Sequence, residues 1–337
     1  MSSPGADGGA TRVREIGRRE SDRGDTGPGS SGAPNTVPLG EGFMPTITTR
    51  RTRFAPSPTG RLHLGHVTSM LAVWGLAEVW QLAVDIRIED HDRQRCRPEY
   101  LAALRDDLAW LGFQPVRGGR WSVQSEHTAR FDTALDRLCG QGLVYACRCS
   151  RRDLPPAPSG AEACYPGTCR ERGWPLTPDS TLRVRLAETE WVFDDLWRGE
   201  QRQRPAGQCG DLVIRDRHGQ YTYQFAVVVD DLADGIDTII RGADLLDSTG
   251  RQLQLRSLLG GDTAVRFAHH PLIVGPDGRK LSKSLLSPPV AELRDAGWSA
   301  ARVRGLAAER VGWQSQPGDL SLADLGRLLE RTLPGRP

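Results

Sequence analysis

Arg53-Phe54-Ala55-Pro56-Ser57-Pro58-Thr59-Gly60-Arg61-Leu62-His63-Leu64-Gly65-His66 is the stretch whose reading decides the fold. Pro56 and Pro58 stiffen the backbone and exclude helix there. Gly60 lets the chain turn. The apolar run Val67 to Trp80 that follows is long enough for a helix. The pattern is a strand, a tight turn and a helix N-terminus. Such a terminus carries free N–H groups and partial positive charge, and so suits phosphate. His63 and His66 stand three apart, hence on one helix face. Gly65 between them lets a flat ring or a ribose approach the backbone.

A second stretch completes the candidate site. Arg279-Lys280-Leu281-Ser282-Lys283-Ser284 follows the turn signal Gly275-Pro276-Asp277-Gly278. Of 44 Lys plus Arg in the chain, lysine occurs at Lys280 and Lys283 and nowhere else. A compact ammonium on a flexible stem meets a moving phosphate differently from a planar fork. The two lysines are therefore read as required by chemistry.

Between these stretches, Leu82 to Asp90 reads as a strand ending in acids. Strand, helix and strand make a parallel unit, and ligands sit at the carboxyl ends of such strands. Glu89 is placed there, beside His63, where a negative side chain suits an amino group. Pro98 to Gly112 and Ser125 to Gly142 carry leucines at helical spacing. Asp211 to Ile214 and Tyr221 to Phe225, flanking Asp216-Arg217-His218-Gly219, read as a hairpin that holds Tyr223. Ile239 to Leu246 reads as a strand, with Arg241 able to fork onto a carboxylate. Ser248 is positioned to cap a helix from Arg251 to Leu259. Helical spacing returns in residues 300–308 and 322–329. Cys209, His218, His269 and His270 receive no chemistry.

The chain has 337 residues and a formal net charge of +2, so RNA contact must rest on local arginine patches. Residues 1–45 are rich in Gly, Ser, Pro and Arg, and are expected to be disordered. No apolar run marks a signal peptide or a membrane span, which points to a soluble cytoplasmic protein without membrane contact. Four of the seven cysteines, Cys147, Cys149, Cys164 and Cys169, fall in one proline-rich window. A loop of this kind needs a staple, and thiolates around zinc supply one. Spacing alone favours those four cysteines as ligands.

His-Leu-Gly-His and Lys-Leu-Ser-Lys-Ser resemble the two signatures of class I aminoacyl-tRNA synthetases, and Arg-Phe-Ala-Pro-Ser-Pro-Thr-Gly is similar to the glutamyl branch. The likeness runs from about Arg50 to Ser284. It implies an α/β fold with a Rossmann-type parallel-sheet catalytic domain, a zinc-containing insertion and a short helical C-terminal segment. The expected division is an extension at 1–45, catalytic halves at 46–145 and 211–284, an insertion at 146–210 and helices at 285–337. It implies ATP binding by His63, Gly65, His66 and Lys283, with Mg²⁺ accompanying ATP and catalysis by His63, His66, Lys280 and Lys283. It implies L-glutamate on Arg53, Phe54, Ala55, Pro56, Ser57, Glu89, Tyr223 and Arg241.

The cysteine window resembles the Cys-x-Cys and Tyr-x-x-x-Cys pattern of glutamyl-Q tRNA(Asp) synthetases. One structural zinc on Cys147, Cys149, Tyr165 and Cys169 is thereby implied. Cys164 departs from that pattern and competes with Tyr165. The stretch after Ser284 is too short for the anticodon-binding region of full-length glutamyl-tRNA synthetases. The expected reaction is formation of glutamyl-adenylate and transfer of glutamate to queuosine in the anticodon of tRNA(Asp), by a monomeric chain. The alternatives are charging of the 3′ end of tRNA(Glu), and a non-catalytic tRNA-binding paralogue.

Overall fold

The computed structural model describes residues 50–92, 95–156, 162–275 and 288–334, and the backbone of a strand at Arg14–Ile16. In chain order that strand, β1 (Arg14–Ile16), precedes β2 (Arg51–Phe54), α1 (Leu64–Trp80), β3 (Ala83–Ile88), α2 (Pro98–Leu111), β4 (Trp121–Val123), α3 (Ala129–Gly140) and β5 (Val144–Cys147). Next come β6 (Thr181–Val184), β7 (Glu190–Asp195), β8 (Gly199–Gln203), α4 (Pro205–Cys209), β9 (Leu212–Arg215) and α5 (Tyr223–Ala233). Then follow β10 (Thr238–Gly242), α6 (Thr249–Leu258), β11 (Arg266–His270), α7 (Val290–Asp295), α8 (Ala300–Arg310) and α9 (Leu325–Thr332).

The architecture is α/β, as the sequence implies. β2, β3 and β4 form one parallel sheet. β10 lies parallel to β11, and β11 is parallel to β7. The two sheets touch where Asp237 N–H donates to Arg51 O at 3.2 Å and Arg51 N–H donates to Asp237 Oδ1 at 3.1 Å. No ladder joins β2 to β10 among the described residues. A crevice therefore lies between their carboxyl ends, the place where open parallel sheets bind ligands.

α1 fixes that crevice. Its sequence is apolar on every side, and Val67, Met70, Leu71, Val73, Leu76 and Ala77 are buried. Such a helix belongs in the middle of a core. It packs against β2, β3 and β10 on one side and α8 and α9 on the other. Gly75 makes the second contact possible, since a Cβ there would stand 2.6 Å from Leu329 Cγ. The C-terminal helices thus share one hydrophobic core with α1. α2 has Pro98 in its first turn and Gly112 at its end in the left-handed region (φ 81°), as its sequence signals require.

Three expectations change. Tyr221 makes a single bridge to Arg215, but Tyr223 opens α5 and lies in no strand. Thr222 Oγ1 donates to Val213 O and Phe225 N–H donates to Thr222 O, so the ladder stops and a helix starts. A continuous apolar run serves a buried helix as well as a strand. Ser248 accepts from Gln224 Nε2 and makes no capping bond, because a 3-10 turn, Ala243–Ser248, leads straight into α6. Arg14–Ile16, inside the extension expected to be disordered, pairs antiparallel with β7. Strands of the stretch 146–210 pair with strands outside it: β6 with β9, and β7 with the β10–β11 sheet.

Leu329 is fully buried against α1. Leu329→Ala should lower unfolding stability by about 2–5 kcal/mol, read from the urea midpoint at unchanged m-value.

Candidate active site

A cleft of about 790 Å³ opens at the strand ends. Its walls include Arg53 and Phe54 of β2, Ala55, Pro56 and Ser57 after it, His63, Gly65 and His66 at α1, Glu89 after β3, Tyr223 of α5 and Arg241 of β10. Residues far apart in the chain, and singled out separately in the sequence, therefore share one cavity. Lys280 and Lys283 lie outside the described residues. Their described neighbours do reach the cleft: Leu272 and Ile273 line it, and Pro289 bridges to His63 while Val290 N–H donates to Leu62 O at 2.8 Å.

The α1 N-terminus is capped by histidines. His63 is the extended N-cap residue, and its Nδ1 accepts from Gly65 N–H at 3.1 Å. His66 Nδ1 accepts from His63 N–H at 3.2 Å. This is a capping box made from two imidazoles, with ring centroids 4.0 Å apart. Using Nδ1 as acceptor places the hydrogen of each neutral ring on Nε2. The expectation of free amides needs correcting here, because Gly65 and His66 N–H are taken by His63. A Cβ at Gly65 would stand 2.9 Å from His63 Cε1, so glycine lets the first ring fold over the helix end.

Deeper in the cleft the charges are buried. Arg53 Nε donates to Asp231 Oδ1 at 2.9 Å. Glu89 is bonded by Arg87 Nη2 at 3.0 Å. Arg241 differs from both. Its Nε meets His269 Nε2 at 2.9 Å, Nη1 meets Gln252 Oε1 at 2.6 Å, and Nη2 meets Thr249 Oγ1 at 2.9 Å. Those partners are neutral acceptors, and no carboxylate makes an ion pair with Arg241 among the described residues. Burial pulls its pKa down, with Arg53 acting the same way, against the Tyr223 hydroxyl. Burial raises the Tyr223 phenol, and Glu89 adds to that. The arrangement places a buried guanidinium, held by neutral groups, on the cleft wall.

A second cluster lies at the end of β5. The Sγ atoms of Cys147, Cys149 and Cys169 all lie within 4.8 Å of one another. Tyr165 Oη stands 3.6 Å from Cys147 Sγ and accepts from Cys169 N–H at 2.8 Å. The edge of a tetrahedron with 2.3 Å zinc–sulfur bonds is about 3.8 Å, so the donor set fits a zinc ion. Cys164 does not join it; its Sγ faces the carbonyls of Ala206 and Gly207 at 3.9 and 3.6 Å.

The family model described as tRNA synthetases class I (E and Q), catalytic domain, matches residues 49–161 and 175–319. A glutamyl-Q tRNA(Asp) synthetase of Pseudomonas fluorescens is 42% identical over 277 residues, 82% of this chain and 88% of the relative. One of Nitratidesulfovibrio vulgaris is 37% identical over 310 residues, 85% and 94% of the two chains. The chain belongs to the glutamyl-Q tRNA(Asp) synthetase family. It is a ligase of the aminoacyl-tRNA synthetase type. Among solved structures, a glutamate tRNA ligase from Elizabethkingia meningosepticum in complex with its amino acid has a TM-score of 0.67 at 23% identity. The match covers 83% of this chain and 64% of that one. The glutamate–tRNA synthetase of Elizabethkingia anophelis gives 0.68 at 24%, over 83% and 65%. Both likenesses concern the fold, and this chain spans just under two thirds of either solved chain.

For this synthetase-family chain, sequence reasoning missed the residues behind the cleft wall. Arg87, flanked by isoleucines in β3, is fully buried among Glu89, Asp230, Asp231 and Asp234. A charged residue inside an apolar strand was the available signal. His270 lines the cleft, with Nε2 at 3.0 Å from Ser69 Oγ and Nδ1 at 2.9 Å from Pro271 O. Burial lowers its pKa to about 4, so it is neutral at physiological pH. Its position at a strand's carboxyl end marked it.

Burial raises the Asp230 pKa to about 7, against Arg87, the Gln124 amide and Arg130. The folded chain holds that proton up to about pH 7, whereas the unfolded chain releases it near pH 4. Folding binds a proton in this window, so Asp230 makes stability fall as pH rises from about 4 to 7. Asp230→Asn should remove this slope. Urea unfolding across the window should show the variant gaining on the parent by up to about 1.4 kcal/mol per pH unit.

Proposed function

We propose that the cleft activates L-glutamate with ATP as glutamyl-adenylate, and that the glutamyl group is then transferred to the queuosine base in the anticodon of tRNA(Asp). The observation that carries the first half is Arg241, a buried guanidinium held by neutral groups. Such a group binds a carboxylate strongly, because water is excluded and no carboxylate bonds it directly among the described residues. The glutamate side chain takes that place, with Tyr223 beside it. Glu89 receives the ammonium group. Phe54 to Ser57 and Arg53 form the wall.

The α-carboxylate oxygen then attacks the α-phosphorus of ATP, and the bond to pyrophosphate breaks. This transfer needs positioning and charge stabilisation more than a covalent nucleophile. His63 and His66 donate from Nε2 to phosphate oxygens, and Gly65 admits the nucleoside. Lys283, with Lys280 beside it, stabilises charge on the transferring phosphate. Of the described residues flanking that lysine segment, Ile273 lines the cleft and Pro289 bridges to its His63, which supports the assignment. Mg²⁺ accompanies ATP. Cys147, Cys149, Cys169 and Tyr165 hold one structural zinc, which ties the end of β5 to the loop through Cys169.

The choice of RNA acceptor rests on the relatives' names and on this cysteine–tyrosine set. An exposed platform nearby suits RNA: Arg148 Cζ stacks 3.9 Å over Trp174, which is 37% exposed. Stacked arginine and aromatic faces accept unpaired bases.

Lys283→Ala should reduce glutamate-dependent pyrophosphate exchange on the order of 100-fold or more while leaving the circular-dichroism spectrum unchanged; near-normal exchange removes its role. Labelled glutamate should pass to tRNA(Asp) carrying queuosine and not to the same tRNA from queuosine-deficient cells. Equal labelling of both, located at a 3′ end, would establish ordinary charging instead.

A further inference from the structure

The residues behind Arg241 carry a second reading, which rests on its proposed role as carboxylate receptor. Asp195, at the end of β7, gathers four donors. Its Oδ1 accepts from Trp197 and Arg198 N–H, each at 3.1 Å. Its Oδ2 accepts from His269 N–H at 2.9 Å and faces His269 Nδ1 at 2.7 Å. An oxygen already accepting in this way demands a hydrogen on Nδ1. Nε2 of the neutral ring is then a lone pair, and it faces the Arg241 Nε–H at 2.9 Å. Both side chains are fully buried.

We infer that Asp195 and His269 are positioning residues that aim the Arg241 guanidinium at substrate without cancelling its charge. A carboxylate in direct contact would orient Arg241 equally well but would compete with the substrate for it. A neutral imidazole orients and leaves the charge available. Asp195 stands one residue further back, where it sets the tautomer. Arg53, by contrast, spends its charge on Asp231 and is a wall rather than a receptor. Burial lowers the His269 pKa, which agrees with a neutral ring.

The test is glutamate-dependent pyrophosphate exchange by the full chain, with KM for glutamate and for ATP read separately. Arg241→Ala is the reference: an unchanged glutamate KM there defeats the receptor reading itself. Given that the reference responds, His269→Asn keeps a donor towards Asp195 but withdraws the acceptor from Arg241. It should raise the glutamate KM about tenfold or more, with ATP KM and kcat within about twofold. His269→Gln, which returns an amide oxygen to the neighbourhood of Nε2, should recover most of the loss. Equal losses in the two variants, a parallel rise in ATP KM, or no change in His269→Asn would overturn the inference. A measurement on the unmutated chain guards against variants that fail to fold. Nitrogen-15 spectra of labelled histidine should show His269 protonated at Nδ1 and bare at Nε2; a proton on Nε2 overturns the pairing.

Discussion

The fold around the cleft depends on one buried cation. Arg87 in β3 lies among Asp231 at 2.8 Å, Glu89 at 3.0 Å, Asp234 at 3.3 Å and Asp230 at 3.8 Å. Three of those acids belong to α5 or its end, and the fourth borders the cleft. A buried charge without partners is costly, and carboxylates this close together repel one another unless a cation divides them. Arg87 therefore pins α5 against β3, fixes Glu89, and through Asp231 fixes Arg53 as well. Arg130, from α3, closes the cluster on Asp230 and Asp234. The wall of the cleft is rigid because its charges are shared.

The opposite wall is rigid for a different reason. α1 is held by apolar contact on all sides, so its N-terminus cannot shift without disturbing the core. The histidine capping box then fixes two rings on that terminus. A helix end with satisfied amides is a weaker anion site than one with exposed amides. Under the proposed function the two imidazoles, rather than the backbone amides, meet the phosphates. The same sequence motif thus ends the strand, starts the helix and caps it with its own side chains.

Those local consequences were legible in the sequence. The strand–turn–helix at Arg53 to His66 follows from prolines, a glycine and an apolar run, all within a few residues of each other. Glu89 and Arg241 could be placed because strand ends are recognisable and parallel sheets bind at those ends. The cysteine window was half legible. Spacing favoured Cys164, but the chain turns that thiol towards the Ala206 and Gly207 carbonyls. Gly210 packs so closely on Tyr165 that a Cβ would stand 2.1 Å from its carbonyl oxygen, and Tyr165 N–H donates to Cys209 O at 3.0 Å. What stayed hidden depends on long-range pairing. Arg87 with Asp234, Asp195 with His269 and Gly75 with Leu329 join distant parts of the chain, and no local pattern encodes such partners. Tyr223 shows the same limit: its place in the cleft was legible, its helix was not.

Under the proposed function, the contrast between the two arginines of the cleft would let one site distinguish anionic from neutral side chains. Arg53 and Arg241 share a low-dielectric cavity, and two uncompensated cations there would repel strongly. Asp231 neutralises the first. Neutralising the second in the same way would leave a cavity with no net demand for charge. Holding it with histidine, glutamine and threonine preserves that demand, at the cost of a lowered guanidinium pKa. A carboxylate that enters gains the full attraction, whereas a neutral amide of the same shape leaves the cation buried and unpaired. On that reading, selectivity between an acid and its amide would be a property of what surrounds Arg241, more than of Arg241 itself.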